Sequence, residues 1–117
     1  MKISVITVVY NGEALIERTL ESVLNQNYDC LEYWIIDGAS TDSTLEKVKE
    51  YAPRFEERGI ELQVLSEPDK GIYDAMNKGI GFATGEIIGL INSGDTYETS
   101  AVSTAVSTFE QTECDLV

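Results

Sequence analysis

In a chain of 117 residues, 21 Asp plus Glu against 8 Lys plus Arg leave a net charge of −13, which excludes DNA or RNA as the main partner, since phosphate backbones are held by cations. There is no His, so Ser–His–Asp and Cys–His triads, His-ligated zinc and imidazole bases are excluded as well. The length suits one domain spanning 1–117, and a hydrophobic fraction of 43% supplies a core and is too high for disorder.

Ile3–Val9 is an almost continuous apolar run, as in a strand covered on both faces. It is short, interrupted by Ser4 and Thr7, and followed by no cleavage site, so it is not a signal peptide. Residues 12–26 carry Leu15, Ile16, Thr19, Leu20, Val23 and Leu24 at spacings of three and four, one helix face with Asn11 as its cap. Cys30 and Cys114 are too few and too far apart for a disulfide framework or a metal cluster, and read as small buried hydrophobes. Leu31–Asp37 is the second strand. Ser40-Thr41-Asp42 opens a helix with Leu45, Val48, Tyr51 and Ala52 on its apolar side, and Pro53 is expected to stop it.

Residues 60–66, with Ile60, Leu62 and Val64 alternating, form the third strand. Over 72–83 the pattern predicts a helix weakened by Gly79 and Gly81, each costing about 1 kcal/mol relative to Ala. Residues 86–91 are the fourth and most hydrophobic strand. The last helix, over 99–109, puts Val102, Ala105, Val106 and Phe109 on one stripe, and 114–117 reads as the start of a further strand. No run approaches the ~18 apolar residues of a membrane span, and the chain reads as cytoplasmic.

Strand and helix alternate four times, which predicts an α/β, doubly wound (Rossmann-like), mainly parallel sheet with helices on both faces. Ligands of such sheets sit beyond the carboxyl ends of the strands. The residues to inspect are therefore Tyr10-Asn11, Asp37-Gly38, Glu67-Pro68-Asp69-Lys70 and Asn92-Ser93-Gly94-Asp95. This polar rim, rich in carboxylates, suits metal and phosphate chemistry.

No dinucleotide fingerprint or phosphate loop follows the first strand, and the glycines at 79, 81 and 85 precede a strand rather than follow one. Asp95 is either a ligand for Mg²⁺ or Mn²⁺ bridging a diphosphate, or simply part of a turn, which each residue of Asn-Ser-Gly-Asp favours. Asp37 accepts hydrogen bonds either from a base or ribose or from nearby backbone N–H groups. Tyr10 either stacks on a nucleobase or packs at the strand end. Asp69-Lys70 either places a cation near a phosphate or forms a surface ion pair.

Four segments, taken together and in order, resemble the family 2 glycosyltransferases of the GT-A fold: SVITVVYNGE (4–13) with LESVLNQ (20–26), IIDGASTDST (35–44), EPDKGIYDAMNKGIGFATGE (67–86) and IIGLINSGDTY (87–97). The likeness is to the N-terminal, nucleotide-sugar-binding half of a family member, and above all to bacterial members that build capsule, O-antigen or exopolysaccharide. It implies inverting transfer of a sugar from a nucleotide-diphosphate donor, often UDP-linked, to a hydroxyl of a glycan or lipid-linked acceptor, with Mg²⁺ or Mn²⁺ as cofactor and peripheral membrane association of the whole protein.

By the same resemblance Val8, Tyr10 and Asn11 lie beside the base, Asp37 matches the first acid of the family's Asp-Asp-Gly-Ser stretch, Lys70 and Asn77 border the phosphates and sugar, and Ser93 joins the donor site. Gly38 stands where relatives carry a second side chain. Asn92-Ser93-Gly94-Asp95 replaces the usual Asp-x-Asp-Asp, leaving Asp95 as the expected metal contact. The family's general base lies in the C-terminal half, so none is assigned within 1–117, which reads as a donor-binding piece, inactive alone.

The rival readings need features this chain lacks. A response-receiver module needs an acid pair after the first strand, and a nucleotidyltransferase needs a Gly-rich, basic loop there. A structural module without a ligand of its own is the remaining alternative.

Overall fold

The computed structural model describes residues 2–112; the strand expected over 114–117 and Cys114 lie outside them. Eight elements alternate: β1 (Ile3–Val9), α1 (Ile16–Leu24), β2 (Leu31–Asp37), α2 (Thr44–Arg58), β3 (Glu61–Ser66), α3 (Ile72–Phe82), β4 (Ile87–Leu90) and α4 (Ala101–Thr112). All strands pair in parallel in the order β3-β2-β1-β4, the doubly wound sheet that the alternation predicts. No helix among the described residues is long and apolar enough to cross a membrane.

Side chains alternate between the two faces of the sheet. On one face Val5, Tyr33 and Ile35 meet Leu20 and Val23 of α1, Val48 and Phe55 of α2, and Val102 and Val106 of α4. On the other, Ile6, Val8 and Ile36 meet Ala75 of α3. Gly79 lets α3 lie this close, because a Cβ there would fall 2.6 Å from Ile6 Cγ2. β1, with all seven residues buried, is paired on both sides, with β2 and β4. β4, the most hydrophobic strand by sequence, is not the most buried: among the described residues it is flanked by β1 alone, and its Leu90 is 43% exposed.

Four local expectations also change. α1 starts at Ile16 because residues 13–15 form a turn in which the N–H groups of Leu15 and Ile16 both donate to Gly12 O, at 3.1 and 2.9 Å. Asn11 does not cap that helix. Its Oδ1 accepts the Thr41 N–H at 2.8 Å instead, tying β1 to the loop after β2. α2 runs through Pro53, which is exposed, because Phe55 beyond it is buried with its ring centroid 5.5 Å from that of Tyr33; the helix ends at left-handed Gly59. Cys30 is exposed rather than buried, since it lies in the loop just before β2.

Candidate functional site

The chain winds from β1 outward to β3 and then returns to the far side of β1 for β4, so the switch point lies at the carboxyl ends of β1 and β4. There the four exits form one rim. The Ser93 N–H donates to Val8 O at 3.4 Å and the Gly38 N–H to Val9 O at 2.9 Å. A Cβ on Gly12 would lie 2.8 Å from Ser93 Oγ, and one on Gly38 would lie 2.8 Å from Asp69 Oδ2. A hollow of about 290 Å³ opens within this rim, lined by Val8, Val9, Tyr10, Asp69, Gly71, Ile72 and Ala75. Tyr10 is 64% exposed, so its ring is available at the mouth rather than packed at the strand end. A groove of equal volume between β4 and α4 is lined by aliphatic residues and Tyr97, with no acid or cation.

Hydrogen bonds lace the first two exits together. Asp37 is wholly buried. Its carboxylate accepts the Ser40 N–H at 2.9 Å, the Ser40 hydroxyl, and the Ser66 hydroxyl at 2.8 Å. Of its two readings, bonding within the protein is the one the structure displays. The Ser40 Oγ in turn accepts the Asn11 N–H at 2.8 Å, holding Asn11 in the left-handed region at φ 49° beside Tyr10. Asp42 accepts the N–H of Thr44 at 3.0 Å, its hydroxyl at 2.5 Å and the Glu13 N–H at 3.2 Å. The Thr44 hydroxyl above all holds the Asp42 carboxyl below its ordinary range.

At the third exit, Asp69 Oδ1 accepts the Gly71 N–H at 3.1 Å and Asp74 Oδ2 the Lys70 N–H at 2.9 Å, together ordering the start of α3. The Lys70 N–H is the main reason the Asp74 carboxyl sits below its ordinary range. Partial burial opposes the charge on Lys78, but Glu67 at 3.1 Å and Asp74 at 3.6 Å raise its pKa overall. The exposed ammonium of Lys70 enters no ion pair among the described residues, so the Asp69–Lys70 surface pair does not form. Asn77 is exposed on α3, about 200° around the helix from buried Ala75. It points away from the sheet and is not brought to the hollow.

At the fourth exit, Asn92 and Asp95 are exposed, Gly94 is left-handed at φ 95°, and the Asp95 N–H donates to Asn92 O at 3.0 Å. The segment is thus a turn, as its composition favours, and it borders the switch point. Ser93 Oγ is buried there without a hydrogen-bond partner. No group of three acidic or sulfur side chains gathers among the described residues. Mg²⁺ and Mn²⁺ are nonetheless commonly held by one or two carboxylates together with substrate phosphates. The hard oxygens of Asp95, Asn92 and Ser93 fit that mode.

Sequence reasoning missed two residues that shape this site. Thr19 was counted with the apolar stripe of α1, yet its hydroxyl accepts the Gly94 N–H at 2.9 Å and donates to Asp95 O at 2.7 Å. Asp69 was paired with Lys70, yet its carboxylate lines the hollow. A polar residue within an apolar helix stripe is the signal that points to Thr19; the sequence marks Asp69 only as part of the exit after β3, and its own place in the hollow follows from the fold.

The model of Glycosyl transferase family 2 matches residues 4–117. The chain belongs to the family 2 glycosyltransferases. It is 33% identical over 116 residues to the PGL/p-HBAD biosynthesis glycosyltransferase of Mycobacterium bovis, covering 97% of this chain and 44% of that protein. It is likewise 33% identical to the chondroitin synthase of Pasteurella multocida, over 92% of this chain and 11% of that protein. The chain thus spans less than half the length of these curated relatives. Among solved structures, S. aureus TarS 1-349 in complex with UDP-GlcNAc superposes with a TM-score of 0.84 at 26% identity, over 97% of this chain and 32% of that one. The mannosyltransferase PcManGT from Pyrobaculum calidifontis in complex with GDP-Man and Mn²⁺ superposes with a TM-score of 0.83 at 29% identity, over 92% of this chain and 32% of that one.

Proposed function

We propose that this chain is the donor-binding part of an enzyme that transfers a sugar, with inversion, from a nucleoside-diphosphate donor to a hydroxyl of a glycan or lipid-linked acceptor in cell-surface polysaccharide synthesis. UDP is the expected nucleotide. The observation that carries the reading is the hollow at the switch point, with an exposed tyrosine at its mouth, in a chain of this family. The names of the relatives support the direction: TarS binds UDP-GlcNAc, PcManGT binds GDP-Man with Mn²⁺, and one relative is a chondroitin synthase.

In this reading Tyr10 lies on the nucleobase, and Asn11, fixed through Asp37 and Ser40, sets the backbone beside it. Lys70 and the N-terminus of α3, whose first N–H groups carry a partial positive charge, face the diphosphate. Asp95, with Asn92 and Ser93 beside it, would hold the divalent cation, which when bound supplies positive charge to the departing diphosphate. Charge stabilisation on the leaving side is thus the work of this chain's residues. The base that receives the acceptor's proton is not assigned among them.

Calorimetry of the chain with UDP and Mn²⁺ tests the reading. Saturable binding that Tyr10→Ala weakens about tenfold supports it. No binding of UDP or GDP in either the presence or absence of Mn²⁺ overturns it in favour of a structural module.

A further inference from the structure

α1 and the residues that follow it carry two buried polar side chains, Thr19 within the helix and Gln26 just past its end. Thr19 is 0% and Gln26 1% exposed, and both face the segment that runs from β4 into α4. Around them the face is apolar: Ile16, Leu20, Val23 and Leu24. Buried polar groups are retained where they are hydrogen-bonded, and most of the side-chain bonds these two make cross to residues 92–102, from the turn after β4 to the start of α4. The Thr19 hydroxyl accepts the Gly94 N–H at 2.9 Å and donates to Asp95 O at 2.7 Å. The Gln26 amide donates to Glu98 O at 2.7 Å and back to Ser22 O of α1 at 3.1 Å, while its Oε1 accepts the Val102 N–H at 3.0 Å. The neighbouring Asn27 adds its N–H to Thr99 O at 3.0 Å.

Residues 91–100 have no regular secondary structure, so their backbone groups find few partners among themselves. The Asp95 carboxylate is exposed, so its place is set through its backbone. A threonine hydroxyl suits this task because one oxygen both donates and accepts. It satisfies two adjacent backbone groups of a turn whose Gly94 is left-handed.

We infer that Thr19 and Gln26 are positioning residues: Thr19 mounts the Asn92–Asp95 turn on α1, Gln26 anchors the segment that follows it at Glu98 and Val102, and together they hold Asp95 where a divalent cation on the donor diphosphate can reach it. The inference rests on the donor-binding reading and adds to it what places the acid. It predicts that removing the Thr19 hydroxyl costs the metal-dependent part of nucleotide binding and spares the rest.

The test is calorimetry of the chain with UDP, with and without Mn²⁺, reading the ratio of the two affinities. The expected wild-type ratio is tenfold or more. Thr19→Val brings it to within twofold of unity, leaves metal-free affinity within twofold of wild type, and raises deuterium uptake over 92–97 while leaving β1 and β2 protected. Thr19→Ser restores the ratio. Asp95→Asn abolishes it, and Thr19→Val added to Asp95→Asn changes it no further. Gln26→Asn, which withdraws the amide from Glu98 and Val102, also lowers the ratio and serves should Thr19→Val fail to fold.

A Thr19→Val or Gln26→Asn chain that keeps the wild-type ratio overturns the inference while leaving donor binding intact. So does a Thr19→Ser chain as impaired as Thr19→Val. UDP binding in wild type that Mn²⁺ does not strengthen also overturns it and spares the nucleotide reading; no UDP binding at all overturns both.

Discussion

Gly38 and Asp69 occupy one volume. A Cβ on Gly38 would lie 2.8 Å from Asp69 Oδ2 and 3.3 Å from its Cγ, so the space beside this glycine is filled by a carboxylate arriving from the next strand's exit. Gly38→Asp would set two acids against each other and push Asp69 out of the hollow it lines. Overpacking of this kind costs typically 1–3 kcal/mol. The expected result is a lower urea midpoint and UDP affinity reduced about tenfold. The double variant Gly38→Asp with Asp69→Ala recovers most of the lost stability; a double variant no more stable than Gly38→Asp refutes the shared volume.

Asp37 illustrates how a buried acid at the rim can act through others. With its oxygens taking one N–H and two hydroxyl donors and its side chain out of solvent, replacement by Asn turns an amide N–H₂ toward donors. An unmet buried group costs about 1–3 kcal/mol. Asp37→Asn should therefore lower the unfolding free energy by about 2 kcal/mol. Because Ser40 then loses its grip on the Asn11 N–H, UDP binding should also weaken. An Asp37→Asn chain with wild-type urea stability would show that the three bonds are dispensable.

Periodicity made the sheet legible in the sequence, and composition made its rim legible. β1 and β2 have the expected bounds, because a strand covered on both faces leaves a run of mostly apolar residues. What escaped were features decided across the fold. Asn11 looked like a cap and is instead a tie to Thr41. Pro53 looked like a stop, yet the burial of Phe55 carries α2 past it. β4 is the most hydrophobic strand by content, but sheet order, which content does not encode, pairs it with β1 alone among the described residues. Asn77, read as a donor contact, lies on the outward side of α3 because Ala75 and Gly79 claim the inward one.

Lys70 is exposed, and its ammonium makes no ion pair among the described residues, so removing its charge should leave stability within about 0.5 kcal/mol. Charge-assisted bonds to phosphate are among the stronger ones. Lys70→Gln should then weaken UDP about tenfold and uridine not at all, with the thermal midpoint unchanged. Equal loss for UDP and uridine would place Lys70 away from the phosphates.

Glu32 sits at the amino end of the sheet, 3% exposed. It accepts the Ser4 hydroxyl at 2.5 Å and the Thr84 N–H at 3.0 Å, stapling the turn before β4 to β1 and β2. Burial works against its ionised form, but these bonds, led by Ser4, hold its pKa below the ordinary 4.5. A carboxyl depressed on folding contributes stability that is present above the unfolded value and lost as pH falls through the folded one. Wild-type stability should therefore decline below about pH 4.5. Glu32→Gln should be less stable at neutral pH and show a shallower acid decline in urea midpoints taken from pH 7 to pH 3. A parallel decline in both chains would assign the acid lability to other carboxyls.

Gly79 and Gly81 look alike in sequence, two glycines that each weaken α3 by about 1 kcal/mol relative to Ala. The fold separates them. A Cβ on Gly79 would fall 2.6 Å from Ile6 Cγ2, 3.1 Å from its Cδ1 and 3.3 Å from Ile36 Cγ1, whereas one on Gly81 meets nothing within 4 Å. Gly81→Ala should thus raise the unfolding free energy by up to about 1 kcal/mol through helix propensity alone. Gly79→Ala gains the same propensity but must lift the helix off β1 and β2, at a typical overpacking cost of 1–3 kcal/mol, for a net loss of about 1 kcal/mol. Because α3 starts at the hollow through Gly71, Ile72 and Ala75, that lift should also weaken UDP binding, while Gly81→Ala leaves it unchanged. Urea unfolding and calorimetry on both variants decide the matter, and equal stabilisation by the two alanines would mean that α3 does not lie against Ile6 as described.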